Sequence, residues 1–154
     1  MDFIYTTCPD VCGFLNHRLK SIWGQLDEEL KQDLILISVS FDPEVDTPEV
    51  LKQYAAEQGF DVPGWQFLTG TEEQIRQVTG DYEVVYELEI VEADSEQEGS
   101  QKREDSDDHE HVRGFSHNIV VVLIDRDGMV RKIYGTDFFQ GTEEVSSDIT
   151  SLLR

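Results

Sequence analysis

Apolar residues recur along the chain with two spacings, one typical of helices and one typical of strands. Near the start they recur three and four positions apart, which marks one buried face of a helix: Val11, Leu15, Leu19, Ile22, Leu26 and Leu30. This spacing predicts a helix over residues 10–31, with a break near Asp27. Residues 34–41 instead form a nearly continuous apolar, β-branched run, which predicts a strand covered on both faces, as in a parallel sheet.

Capping residues mark two further helices. Thr47 and the proline after it are typical of a helix start, and Gly59 is typical of a helix end. Thr71 and Gln74 form a capping box that predicts another helix, closed by Gly80. The remaining segments predict strands at residues 2–5, 65–68, 82–91 and 118–125, a tight turn at 126–128, a return strand at 129–134 and a last helix capped by Thr142.

The composition changes abruptly between residues 92 and 114. This stretch is rich in Asp, Glu, Ser and Gln and has almost no apolar residue, so we predict a disordered, solvated insertion within one domain of residues 1–154. His109 and His111 lie in it. Alternating histidines can bind a metal, but in a loop without fixed structure we expect them to be solvated.

The order of elements predicts an α/β fold. Helices that alternate with strands imply parallel βαβ units, and a terminal hairpin followed by a helix makes the sheet mixed. This is the thioredoxin-like arrangement, a mixed central sheet flanked by helices. Because the chain begins inside a strand, we expect an initial hairpin and a membrane anchor to have been truncated upstream of residue 1.

The chain is strongly acidic. It carries 33 Asp and Glu against 12 Lys and Arg, for a net charge of −21, and the acidic residues are spread along its length. Such a balance is typical of a salt-adapted protein, and the alternative is a surface that attracts a cationic partner. Nucleic-acid binding is disfavoured, because no basic patch exists to contact phosphates.

Two cysteines, Cys8 and Cys12, stand where the first strand gives way to the first helix. Two thiols at this point can close a disulfide or bind one soft metal ion, and the alternative is a pair of buried structural cysteines. A cysteine motif at a strand-to-helix junction of this fold is typical of redox proteins. We expect the first turn of the helix to favour the thiolate of Cys12.

Two histidines remain outside the acidic stretch. His17 falls off the apolar stripe of the first helix, so we expect a solvated surface side chain. His117 stands in a predicted loop just before the strand at 118–125, and such a loop approaches the cysteine turn in a thioredoxin-like sheet. Its imidazole can then join the two thiols, although a lone histidine at a strand start is more often structural.

Three motifs carry a resemblance to a known family. The segment FIYTTCPDVC at residues 3–12 resembles the active-site motif of the Sco/SenC family of copper chaperones. Residues 38–51, SVSFDPEVDTPEVL, look like the family's second signature. Ser116 and His117, followed by LIDRDG at residues 123–128, look like its third. The motifs occur in the family's order and span most of the chain.

The resemblance implies a thioredoxin-like domain on the extracytoplasmic side of the cytoplasmic membrane, held by an N-terminal anchor. It implies copper bound by Cys8, Cys12 and His117 and delivered to the copper-site subunit of cytochrome c oxidase, and we expect a monomer. Soft thiolates with one imidazole suit Cu(I), whereas a structural zinc site usually has a fourth protein ligand. Two positions depart from the family pattern, because Gly13 replaces a common proline and Ser116 a common aspartate.

Two other functions fit the same cysteines. The first is a thiol–disulfide oxidoreductase that reduces the copper-site cysteines of the oxidase, with Cys8 and Cys12 as the catalytic pair. The second is a peroxide-reducing protein of the same fold, for which only Thr6 and Thr7 are near in sequence. His117 separates the copper carrier from the reductase, because a dithiol reductase does not require an imidazole.

Salt dependence of the fold tests the interpretation of the charge. In about 1 M salt the Debye length is near 3 Å, so the mutual repulsion of the carboxylates is screened and the fold should be retained. We expect the circular dichroism spectrum to lose its folded features when the protein is desalted. Identical spectra in low and molar salt would contradict salt adaptation.

Overall fold

The computed structural model describes residues 1–9, 11–92 and 111–153. In chain order the elements are β1 (Asp2–Ile4), α1 (Val11–Gln25), α2 (Glu28–Gln32), β2 (Leu36–Ser40), α3 (Pro48–Glu57), β3 (Trp65–Leu68), α4 (Glu72–Asp81), β4 (Tyr86–Glu92), β5 (His111–His117), β6 (Val121–Ile124), β7 (Val130–Tyr134), a short 3₁₀ helix (Thr136–Phe139) and α5 (Thr142–Leu153). Within this part of the chain, no helix combines the length and the apolar character needed to cross a membrane.

Five strands form the central sheet, in the order β3-β2-β1-β6-β7. Strands β1, β2 and β3 are parallel, and β6 and β7 run antiparallel to their neighbours. The predicted mixed sheet is therefore confirmed. The predicted hairpin turn between the last two strands is also present, with Gly128 at a φ of 78° that glycine tolerates.

Buried apolar side chains form two clusters, as expected for a sheet with both faces covered. One contains residues of α1, α3 and α5 together with Val121, and the other contains Ile75 of α4 together with Val122. Val121 and Val122 are neighbours on β6, so their side chains point to opposite faces. The pattern explains why β2 and β6 read as continuous apolar runs in the sequence.

The helix signals in the sequence correspond to observed caps. The Thr47 hydroxyl accepts a hydrogen bond from the backbone N–H of Val50 at 3.3 Å, with Pro48 at the first helical position of α3. Thr71 and Gln74 form the predicted capping box of α4. These bonds satisfy backbone donors that a helix start otherwise leaves unpaired.

The structure corrects the predicted boundaries of the acidic insertion at 92–114. Residue 92 ends β4, and residues 111–114 belong to β5, which pairs antiparallel with β4 from Tyr86 opposite His117 to Glu92 opposite His111. Backbone hydrogen bonds hold this pairing and need few apolar side chains, so composition alone did not reveal it. The rest of the predicted insertion, residues 93–110, lies outside the described residues.

Strand β4 also differs from its prediction. It begins at Tyr86 rather than at residue 82, and Glu83 just before it has a φ of 57°. In the part of the chain that the structure describes, β4 pairs with β5 in a separate two-stranded sheet and does not join the central one. His117 consequently ends a strand, whereas the sequence predicted a loop at that position.

A cavity of about 430 Å³ is lined by residues of β2, β6 and α5, which include Leu36, Val122 and Ile149. Neither cysteine nor His117 lines it. The cavity is therefore separate from the candidate metal ligands.

Phe60 tests the contribution of the aromatic core. Its side chain is fully buried and contacts the rings of Tyr54, Trp65 and Phe67, so Phe60→Ala should lower the free energy of unfolding by about 3–5 kcal/mol. The matched control is Phe14→Ala, because Phe14 is 71% exposed and its truncation should cost less than about 0.5 kcal/mol. Denaturant unfolding of both variants measures the difference, and equal losses would contradict the assignment of the core.

Candidate metal centre

Three side chains from distant parts of the chain meet at one end of the central sheet. Cys8 lies in the loop after β1, Cys12 is the second residue of α1, and His117 is the last residue of β5. Their ligand atoms, two sulfurs and one imidazole nitrogen, all lie within 4.8 Å of one another. Cys12 Sγ lies 3.8 Å from His117 Nε2. The structure thus brings together the three residues that the sequence predicted to share a site.

The two thiols differ in exposure and in electrostatics. Neither cysteine is in a disulfide; Cys12 is buried and Cys8 is half-buried. The backbone N–H of Cys12 points at Cys8 Sγ over 3.5 Å, so the free donor of the first helical turn stabilises negative charge on Cys8. Hydrogen bonding with Cys8, followed by burial, raises the pKa of the Cys12 thiol. The expectation that the first turn favours the Cys12 thiolate was therefore wrong.

The imidazole of His117 is oriented by the backbone. Its Nδ1 lies 3.0 Å from the carbonyl oxygen of Asn118, and because a carbonyl only accepts, the hydrogen is on Nδ1. Nε2 then keeps its lone pair and faces the thiols, as a metal ligand requires. Hydrogen bonding with Cys8 raises the pKa of His117, with a further contribution from the Asn118 carbonyl.

Comparison with known proteins identifies the family. The family model described as SCO1/SenC matches residues 1–154. The chain belongs to the SCO1/SenC family. A SCO2-like protein of Rickettsia prowazekii is 32% identical over 135 residues, which is 88% of this chain and 57% of the relative. The chain therefore spans little more than half the length of that relative.

Two solved Sco structures have the same fold as this SCO1/SenC chain. Apo Sco1 from Thermus thermophilus superimposes with a TM-score of 0.68 at 28% identity, covering 98% of this chain and 76% of that one. ScoI from Bradyrhizobium japonicum with copper bound superimposes with a TM-score of 0.66 at 25% identity, covering 98% and 82%. The predicted thioredoxin-like fold and family resemblance are thereby confirmed.

Aromatic rings enclose His117 in this SCO1/SenC domain. Phe41 and Tyr5 lie 5.1 and 5.9 Å from the imidazole, measured between ring centres. Phe41 also stacks on Tyr86, the residue opposite His117 on β4. The Tyr5 hydroxyl accepts a hydrogen bond from the N–H of Phe115 at 3.3 Å, which ties β5 to the end of β1. These contacts restrict the position of the imidazole beside the thiols.

A buried carboxylate fixes the loop that carries Cys8. Asp46 is fully buried and accepts hydrogen bonds from the backbone N–H of Thr6 at 3.0 Å, from the Thr6 hydroxyl and from the Ser40 hydroxyl. Thr6 is two residues before Cys8. Asp46 lies within the second family signature, just before the helix cap Thr47, but no short-range pattern in the sequence indicates that it contacts Thr6.

The two departures from the SCO1/SenC pattern lie in open surroundings. A Cβ added at Gly13 would meet no atom within 4 Å, so the position does not depend on glycine. Ser116 is exposed, and as the strand neighbour of His117 it points to the opposite face of the hairpin. A carboxylate at position 116 would therefore not face the thiols.

His17 and the backbone of His111 lie away from this centre. His17 is exposed on α1 and contacts the ring of Phe60, as its place off the apolar stripe predicted. The backbone of His111 begins β5, six residues before His117, which places it about 20 Å away along the strand. His109 lies outside the described residues.

Removing the Asp46 carboxylate tests its hold on the Cys8 loop. Asp46→Ala leaves a backbone N–H and two hydroxyls without their acceptor, so we expect a loss of about 1–3 kcal/mol in the free energy of unfolding. We also expect faster alkylation of Cys8 by iodoacetamide, followed by mass spectrometry. Asp61→Ala, at an exposed position, is the control. An unchanged alkylation rate in Asp46→Ala would contradict the positioning role.

Proposed function

We propose that this SCO1/SenC protein binds one Cu(I) ion through Cys8, Cys12 and His117 and delivers it to the copper-site subunit of cytochrome c oxidase. The observation that carries the proposal is the meeting of two sulfurs and one imidazole nitrogen within 4.8 Å. Only a small decrease in the distances between these three atoms would place them all around a single ion. Delivery to the oxidase rests on the family resemblance, as does a location on the extracytoplasmic side of the membrane through an upstream anchor.

The chemistry of the three residues favours copper as the cargo. Thiolates are soft ligands that select Cu(I), and imidazole suits copper as well. A structural zinc site is almost always closed by four protein ligands, whereas the described residues supply three in this group. A three-ligand site leaves room for a ligand of the acceptor protein, so the ion can pass by ligand exchange.

The oxidation state of the cysteines controls loading. A disulfide between Cys8 and Cys12 consumes both thiolates, so the oxidised protein cannot hold copper in this way. The structure contains the reduced pair. Copper transfer therefore requires a reductant that keeps these two cysteines in the thiol form.

The alternative function, thiol–disulfide exchange, is supported by the exposure of the same two residues. Cys8 is half-buried and receives an N–H from Cys12, while Cys12 is buried behind it. This arrangement suits an attacking sulfur with a resolving sulfur beside it. Thiol–disulfide exchange does not require the imidazole of His117, whereas copper binding does, so we favour copper binding.

Copper titration separates the two functions. The reduced protein should bind about one Cu(I) per chain, and the oxidised protein should bind none tightly. His117→Ala removes one of three ligands and should weaken binding about 100-fold or more, since loss of outer-shell partners alone costs about 10- to 100-fold. Competition with a Cu(I) chelator measures the affinity.

His17→Ala is the matched control, because His17 lies on the surface away from the thiols. Insulin reduction assayed on the same samples measures the alternative activity. Parental copper affinity in His117→Ala, together with insulin reduction, would replace the carrier proposal with the reductase.

A further inference from the structure

An acidic side chain lies in the middle of the central sheet, close behind the candidate metal centre. Asp2 is on β1, between β2 and β6, and it is fully buried. Asp2 takes part in none of the hydrogen bonds described above for the candidate metal ligands or for Asp46. Burying a carboxylate costs free energy unless it is hydrogen-bonded, so its partners define what it can do.

Two side chains donate to Asp2, and each of them accepts a hydrogen bond from a further donor, which gives two short chains. In the first, Trp65 Nε1–H donates to Ser38 Oγ at 3.0 Å, and the Ser38 hydroxyl donates to Asp2 Oδ1 at 2.6 Å. In the second, the Tyr54 hydroxyl donates to Asn16 Oδ1 at 3.2 Å, and Asn16 Nδ2 donates to Asp2 Oδ2 at 3.0 Å. Indole and amide N–H groups can only donate, so this direction is imposed by chemistry. The network therefore favours a charged carboxylate.

Burial acts in the opposite direction and raises the pKa of Asp2 to about 6. The carboxyl thus titrates close to neutrality, where small changes in nearby charge alter its protonation.

Helix α1 connects this carboxyl to the thiols. Asn16 follows Cys12 by four residues, and both side chains are buried. Residues at this spacing lie about 5–6 Å apart at Cβ on one face of a helix. Asp2 Oδ2 is one hydrogen bond beyond Asn16, so the carboxylate lies within one helical turn and one hydrogen bond of Cys12, in surroundings without bulk water.

We propose that Asp2 takes up a proton when the centre is loaded with Cu(I), so that copper binding and the charge of this buried carboxyl are linked. The inference rests on the proposed function. Binding of one Cu⁺ to two thiols releases two protons and leaves a centre with one added negative charge. At a pH between the apo and the loaded midpoints of Asp2, the carboxylate takes up part of one of these protons, and the remainder goes to solvent. Without this uptake, two negative charges would face each other inside the protein.

The groups that face Asp2 are few in the part of the chain that the structure describes. On its own strand the amine of Met1 favours the charged carboxyl. The titratable groups on the neighbouring helices are the Cys12 thiol of α1 and the Tyr54 phenol of α3, and each senses the charge of Asp2. The strands of the sheet contribute Ser38 of β2, Trp65 of β3 and Val121 of β6, which do not titrate.

The experiment follows the Asp2 carboxyl directly. The ¹³C signal of the side chain is titrated in the reduced protein with and without one equivalent of Cu(I), and it is assigned by its absence in Asp2→Asn. The apo protein should show a midpoint near pH 6, and loading should raise the midpoint by about one pH unit, as expected for an added charge at this range.

Copper affinity gives a second readout. Asp2→Asn keeps the size of the side chain and removes its charge, so it should bind Cu(I) about tenfold more tightly than the parent at pH 7.5, and equally well at pH 5, where Asp2 is already neutral. Asp148→Asn removes a carboxylate of α5 that accepts from Tyr134 on the edge strand β7, two strands away from β1, and it should show no such pH-dependent change. If Asp2→Asn does not fold, Ser38→Ala removes one donor and should raise the apo midpoint of Asp2 while the shift on loading persists.

Each outcome decides between the two proposals. A parent protein that binds no Cu(I) would overturn both the carrier function and this linkage. Copper binding with the same Asp2 midpoint in apo and loaded protein, or with an Asp2→Asn affinity ratio that does not change from pH 5 to pH 7.5, would overturn the linkage alone.

Discussion

The antiparallel pairing of β4 with β5 is the contact on which the candidate metal centre depends. It places Tyr86 opposite His117, and Phe41 stacks on Tyr86 while also contacting the imidazole. Because side chains alternate between the two faces of a strand, a register shift of one residue would turn His117 away and put Ser116 in its place. An imidazole 105 positions from Cys12 in sequence is thus delivered by strand register and aromatic packing.

Local signals in the sequence predicted most of the central domain. Continuous apolar runs, helix caps and an Asp-Gly turn each depend on neighbouring residues, so β2, α3, α4 and the hairpin of β6 and β7 could be predicted from short windows. The β4–β5 hairpin could not, since residues 111–114 carry no strand alternation and are held by backbone bonds to residues 89–92. For the same reason, the residues alone did not decide whether His117 is a structural residue or a metal ligand. The prediction that it is a ligand came from the family resemblance.

The contacts of the buried polar residues are the other feature that the sequence does not predict. Asp2 and Asn16 read as polar interruptions of a strand and of a helix, and nothing in a short window shows that they meet. One signal was present, because Asn16 lies between Leu15 and Leu19 on the side of α1 that faces the core. A polar residue in such a position needs a buried partner, and long-range contacts decide which residue that is. The same holds for Asp46 and Thr6.

The unequal exposure of the two cysteines gives the site a direction. A sulfur of another molecule that approached from solvent would meet Cys8 first, because Cys12 is covered by the protein. A bridging metal or a mixed disulfide with that molecule would therefore involve the outer sulfur before the inner one, and it would form and break on the same face of the molecule.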